Sequence, residues 1–335
     1  MLVSRPSFIA GAAASFSAIP LVSSAQAVTN LKIILFPGLA TWTIWAGQQQ
    51  GFYERERLSV ALTPTPGSVY QFQHLSAGEF DFAFTAFDNL VAYDEGQGEV
   101  TLEHPADFTC VVGGDSGFLS LYVRPEIRTF EDLRGKQLVV DAINTGFSFV
   151  MRKILSLHGL GNDDYKLVPV GNTQARMEKM LSGPDYVGGM LTPPLDTVAD
   201  ARGLKVLARA TDALGGHYQA NCGIASKAWL ARNGEVMTRF IRAHIRADDW
   251  LMTPANRDAA VRILIDNAKV TPQAATGIYA KMMDPVNGFT PKARIDVPGI
   301  QTALNLRAQY GVPKKTLGPP SKYYDDRYYQ QALRS

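Results

Sequence analysis

The chain has 335 residues, 46% of them hydrophobic, which is enough for a sizeable core and, by length, for two domains. Its 33 basic residues nearly balance 31 acidic ones, for a net charge of +2, and no Lys/Arg-rich run occurs, so nothing calls for nucleic acid. Two cysteines, Cys110 and Cys222, make neither a disulfide framework nor a Cys-based metal motif, and the five histidines lack ligand spacing, so no metal and no cofactor is expected.

The first residues read as an export signal. Arg5 supplies a small positive region, Phe8 to Val22 is apolar or small, and Ala25-Gln26-Ala27 ends in a small-residue cleavage pattern. Residues 1–27 are expected to be removed after Ala27, leaving a periplasmic protein. Pro6 stands where a twin-arginine signal needs its second Arg, which favours the general secretory route. No other stretch is apolar enough to span a bilayer.

Beyond the signal, short apolar runs alternate with helical patterns. Leu31 to Phe36 predicts a strand buried on both faces, followed by a turn at Pro37-Gly38 and a helix over 41–50 that carries Trp42 near its start. Leu58 to Leu62 is a second strand. Tyr70 to Leu75 is helical and stops at Gly78. Asp81 to Phe84 is a strand, and Asp88 in the loop beyond it is expected to cap a helix through Val91 and Tyr93. Phe108 to Val112 is a strand, and Phe118 to Val123 is extended.

The stretch from Gly135 to Gly159 states the design most clearly. Leu138-Val139-Val140 is a strand, Asp141 to Gly146 turns the chain, and Phe147, Val150, Ile154 and Leu157 recur at helical spacing. Such a turn leaves backbone N–H groups free at the positive end of a helix, a ready place for an anion or polar atom. Two readings of Asn144 and Thr145 stay open, a plain helix cap or a ligand contact. Lys166 to Val170, Tyr186 to Met190, Leu204 to Ala208 and Gln219 to Ser226 are further strands. A helix through Met177 and Met180 follows Gly171-Asn172-Thr173. From Trp229 the chain is mostly helical, and the Tyr-rich segment after Gly318 is expected to pack along the surface.

The phrase from Ala77 to Phe84 (helix end, Gly, acid, strand) returns from Ser182 to Gly189. Two βαβα units of one design imply two α/β lobes, with ligands beyond the carboxyl ends of the strands. Four loops then converge on a cleft: the one after Phe36, Thr85 to Asn89, Asn144 to Ser148, and Thr192 to Pro194. They hold no Arg, Lys or His. The candidate ligand-binding residues are Trp42, Thr85, Ala86, Phe118, Asn144, Thr145, Gly146, Phe147, Ser148 and Pro193. Their aromatics suit a ligand with a flat or apolar part, and Phe149 is expected in the core. Cys110 and Cys222 fall in apolar strands of one lobe, and a disulfide between them stays open.

Several phrases resemble the periplasmic solute-binding proteins of ABC importers, in the nitrate/sulfonate/taurine and thiamine-pyrimidine-precursor (NMT1-like) subgroup. They are Gln50-Gly51-Phe52-Tyr53 with Leu58-Ser59-Val60, the run from Leu75 to Ala83, the run from Leu133 to Val140, and Ser182 to Tyr186 up to Pro193-Pro194. The resemblance implies an α/β protein of the type II periplasmic-binding-protein fold. Each of its two lobes would be a mixed, mostly parallel sheet flanked by helices, and two crossover strands, at Leu119 to Val123 and Tyr218 to Ile224, would join them. Residues 28–120 and 220–335 would form one lobe and 121–219 the other. It further implies a monomer that does no chemistry, closes on a small polar or anionic organic molecule (sulfonate, carboxylate or pyrimidine-like) and docks on a permease with its ATPase. Glu79 and Asp81 would either face that permease or form an ordinary solvated turn. The alternatives are an enzyme on the same fold, of the pyrimidine-precursor-synthase type, and a secreted ligand-sensing module.

Overall fold

The computed structural model describes residue 1 and residues 27–105, 107–116, 118–284 and 288–334. The expected export signal falls almost wholly outside them. No described helix is long and apolar enough to cross a membrane.

In chain order the elements are β1 (Thr29–Leu35), α1 (Leu39–Gln49), α2 (Phe52–Arg55), β2 (Leu58–Pro64), α3 (Ser68–Ser76), β3 (Phe82–Ala86), α4 (Phe87–Asp94) and β4 (Phe108–Asp115). The chain then crosses to β5 (Ser120–Val123), β6 (Gln137–Val140), α5 (Gly146–Leu157), β7 (Lys166–Pro169), α6 (Thr173–Ser182), β8 (Tyr186–Leu191), α7 (Leu195–Ala201), β9 (Lys205–Arg209) and α8 (Ala210–Leu214). It returns through β10 (Asn221–Ser226) into α9 (Lys227–Met252), α10 (Arg257–Ala268), α11 (Pro272–Met282), α12 (Val297–Tyr310) and α13 (Arg327–Arg334).

Two five-stranded sheets result, ordered β2-β1-β3-β10-β4 and β7-β6-β8-β5-β9. They share one plan. Three parallel strands come first, with β1 between β2 and β3, and β6 between β7 and β8. An antiparallel strand follows, β10 in the first sheet and β5 in the second. Each is contributed by the chain just after it has crossed from the other sheet. The repeated phrase at Ala77 and Ser182 leads into β3 and β8, which hold the same place in the two sheets.

The strands form where apolar runs allow burial. All five residues of β3 are buried, and so are Leu138, Val139 and Val140. β1 departs from the expected double burial at Lys32, which is exposed while its neighbours are buried. The backbone N–H of Lys32 donates to Asp81 at 2.7 Å, and Trp229 Nε1 donates to the other oxygen of the same carboxylate at 3.0 Å. Asp81 therefore ties β1 to the start of α9.

The C-terminal segment also differs from expectation. It leaves the surface at Tyr323, which is fully buried and donates its hydroxyl to Glu95 at 2.7 Å. Cys110 N donates to Tyr323 O at 3.0 Å and Asp325 N to Cys110 O at 2.8 Å, so the tail pairs with the outer side of β4. An uncovered β4 would be an open sheet edge, and pairing with the tail removes that liability. α7 and α8 are additions that the apolar pattern does not announce, being only seven and five residues long.

Candidate functional site

The carboxyl ends of the strands in both sheets point at one cavity of about 50 Å³, room for only a few water-sized groups. From the first sheet it is lined by Phe36 and Gly38 after β1, Ala86 at the end of β3, Asn89 in α4, Asp115 at the end of β4 and Asn221 at the start of β10. From the second come Asp141 after β6, Thr145 and Phe147 around the start of α5, Thr173 and Arg176 in α6, and Thr192 and Pro193 after β8. Phe118, on the crossing from β4 to β5, lies between the two groups. It holds φ at 28°, a left-handed value that strains a bulky residue and that folded chains keep mostly at functional positions.

The two halves touch around this cavity. Ser68 N donates to the Asp141 carboxylate at 3.3 and 3.4 Å, and Asn172 Nδ2 donates to Thr65 O at 2.9 Å. On another side Lys281 Nζ reaches Asp196 at 2.9 Å.

Arg176 is the cation that the loops were not expected to hold. It is 3% exposed. Its Nε donates to Met190 O at 3.0 Å, one terminal nitrogen to Gly171 O at 2.8 Å, and the other to Thr173 Oγ1 at 2.9 Å. A guanidinium carries five N–H donors, so two remain for something in front of it. Among the described residues no carboxylate lies within ion-pair distance of it. Burial lowers Arg176 to about 10, and the nearby Asp141 charge opposes that. Burial raises the carboxyl of Asp141, while hydrogen bonding from Ser68 and the charge of Arg176 pull it back. Arg176 escapes sequence reasoning because it sits in the helix after Gly171-Asn172-Thr173 rather than in a loop. Asp115 and Asn221 escape it because they come from the two crossings.

The candidate residues divide. Ala86, Phe118, Thr145, Phe147 and Pro193 line the cavity. Trp42 does not: it is buried among Tyr279 and Phe289, and its Nε1 donates to Ala260 O at 3.2 Å. Thr85 is buried behind the wall and accepts from Asn89 Nδ2 at 3.1 Å. Asn144 turns to the tail instead, donating to Gln97 O at 2.6 Å and Val312 O at 2.7 Å and accepting from Val312 N at 3.0 Å. Gly146 is a packing position, since a Cβ there would stand 2.5 Å from the Cβ of Asp88 and 3.0 Å from the Tyr218 hydroxyl. Ser148 is buried outside the lining, and its hydroxyl has no partner among the described residues. Asp88 does not cap α4, whose N-cap is Ala86; its carboxylate holds Arg307. Phe149 is in the core, as expected.

No curated protein sequence matches this chain. Solved structures share its fold. The alkanesulfonate-binding protein SsuA of Xanthomonas axonopodis pv. citri, bound to MOPS, superposes with a TM-score of 0.68 at 16% identity, covering 85% of this chain and 93% of that one. The periplasmic nitrate-binding protein NrtA of Synechocystis PCC 6803 gives 0.76 at 13% identity, covering 92% and 89%. The desulfurization enzyme DSZB gives 0.59 at 14% identity, covering 91% and 99%. At these identities the likeness is one of fold. A sequence profile reaches further, because the one described as NMT1/THI5 like matches residues 41–256, more than half of the chain. On that match and the two-sheet fold that carries it, the chain belongs to the NMT1/THI5-like family.

Proposed function

We propose that this protein is the extracytoplasmic substrate-binding component of an ABC import system. It takes a small polar or anionic organic molecule between two lobes, residues 28–120 with 220–335 and residues 121–219, and delivers it as a monomer to a membrane permease with its ATPase. The observation that carries this reading is Arg176: a buried guanidinium on a cavity wall, with two N–H donors unspent and no carboxylate in ion-pair reach among the described residues. A bound sulfonate or carboxylate would satisfy those donors with charge-assisted bonds. The sulfonate- and nitrate-binding neighbours support the same reading, as does the contact of both sheets with one cavity. Closure then favours the bound state, because only the closed form offers both walls to the ligand.

The enzyme reading has the desulfurization enzyme among the neighbours in its favour. The described lining contains no Ser, Cys or His, and the sulfonate- and nitrate-binding neighbours favour binding as the better account. The reading is tested by preparing the mature protein from the periplasm, denaturing it and identifying the released compound by mass spectrometry. That compound is then titrated calorimetrically. Arg176→Gln is expected to weaken it by about 10–100-fold, the worth of charged hydrogen bonds. Unchanged affinity in the folded variant, or turnover of the compound, defeats the proposal.

A further inference from the structure

We propose that Phe118 is the length filter of the binding cavity: its ring, with Pro193, divides the inner cavity from a larger outer chamber and sets the longest molecule that the protein accepts. This deepens the import reading and rests on it. The outer chamber has a volume of about 240 Å³, against about 50 Å³ for the inner cavity. Among the described residues Phe118 and Pro193 are the two that line both. Phe118 stands on the crossing from β4 to β5 and Pro193 follows β8, so the partition joins the crossing to the second sheet. Room for a longer guest exists, but on the far side of a phenyl ring.

The ring is held there against backbone strain. Its φ of 28° lies in the left-handed region, where a bulky side chain is strained and glycine is not. The side chain packs against the cluster that holds Trp42 and Phe289, which fixes it in place. A plain turn at this point is made at lower free energy by glycine, so a strained phenylalanine points to a task for its ring.

The outer chamber does not call for a second charged group. Asp196 accepts from Lys281 Nζ at 2.9 Å and from Thr197 N at 2.6 Å, and the Tyr122 hydroxyl donates to Asp200 at 3.0 Å. Leu119, Val206 and Ala210 add apolar wall, and Val206 is left exposed. The chamber therefore suits an uncharged chain. A guest anchored on Arg176 in the inner cavity reaches it only past the ring.

The experiment is calorimetry on the mature parent protein and on Phe118→Gly with two series of unbranched probes, methanesulfonate to hexanesulfonate and acetate to heptanoate. Glycine adopts the left-handed φ freely, so the substitution removes the ring and the strain together. The parent is expected to bind a short member best and to lose at least tenfold in affinity by the longest. Phe118→Gly is expected to reverse that order, gaining about fourfold for each methylene that enters the outer chamber. Phe147→Ala, which enlarges the inner cavity alone, is expected to leave the order of lengths unchanged. If Phe118→Gly does not fold, the parent series decides. A parent that binds long and short members equally, a Phe118→Gly protein that keeps the parent's order, or a Phe147→Ala protein that shifts the order as far, overturns the inference and leaves the import reading standing. If the parent binds no member of either series, the import reading falls and the inference with it.

Discussion

Arg307 of α12 clasps Asp88 of α4 across 219 positions of sequence. Its Nε donates to Oδ1 at 2.7 Å and a terminal nitrogen to Oδ2 at 2.5 Å, with both side chains fully buried. The same terminal nitrogen donates to Asn144 O at 2.9 Å, and the guanidinium lies 4.9 Å from the centre of the Phe149 ring. One side chain from the helical tail therefore holds a helix of the first sheet and the loop before α5 of the second. A buried pair is strongly disrupted when one partner is removed, because the other charge is stranded. Arg307→Met is expected to cost about 3–5 kcal/mol in urea denaturation at pH 7. Asp88→Leu combined with Arg307→Met is expected to recover most of that loss. A single variant as stable as the parent would show that the pair contributes nothing.

Trp42 and Phe147 separate packing from binding. Trp42 fills the space among α1, α10 and α11 and anchors its indole N–H on Ala260. Trp42→Ala is expected to lower stability by about 3–5 kcal/mol through cavity formation. Phe147 lines the interlobe cavity and is only partly buried. Phe147→Ala is expected to weaken the released ligand at least tenfold with little change in melting temperature. Calorimetry and thermal melts on the two variants check the contrast, and a reversed pattern would place the site near Trp42.

Asp248 gives stability a dependence on pH. It is buried in α9, faces backbone N–H groups of Lys292 and Ala293, and has one oxygen without a partner among the described residues. Burial raises its carboxyl to about 7, with Asp249 adding repulsion, while the two backbone donors oppose the rise. In the unfolded chain an Asp titrates near 4, so between these values the folded protein binds the extra proton. The contribution is full below about pH 4 and is lost as pH rises through about 7. Unfolding free energy measured from pH 4 to pH 8 is expected to carry a falling component of a few kcal/mol that Asp248→Asn removes. An identical pH profile in the variant rules this out.

Cys110 and Cys222 are buried free thiols whose side chains are close enough to hydrogen-bond. Burial pushes the Cys222 thiol up, which keeps the reactive thiolate scarce. A maleimide probe is expected to label neither in the folded protein and both after denaturation under non-reducing conditions. Labelling of neither thiol after denaturation would mean that they are bridged.

The order of strands and helices was legible because it is written in neighbouring residues. Leu138-Val139-Val140 is a short apolar run rich in β-branched residues, which favours a buried strand, and Gly78 and Gly159 stop helices where the pattern ends. The echo of Ala77 to Phe84 at Ser182 to Gly189 disclosed a duplicated plan, and the strand-turn-helix grammar indicated that loops at the carboxyl ends would meet. That reasoning named Ala86, Phe118, Thr145, Phe147 and Pro193, which line the cavity, and also Trp42 and Asn144, which do not, since a residue at the start of a helix or in a loop can face either the cleft or the element behind it. α1 turns Trp42 toward α10 and α11, and α12 with Val312 draws Asn144 toward the tail.

The sequence by itself thus determined the α/β class, the two similar sheets and the family, all of which rest on local periodicity and short phrases. Only the tertiary structure decided the chemistry of the cavity. Asp115 and Asn221 meet because the chain crosses between the sheets twice and β10 returns beside β4. Arg176 reaches the interior from the first turns of α6, and Arg307 closes the back from a helix far along the chain. A buried charge is placed by whichever partners can satisfy it, and those partners come from the whole fold rather than from adjacent sequence.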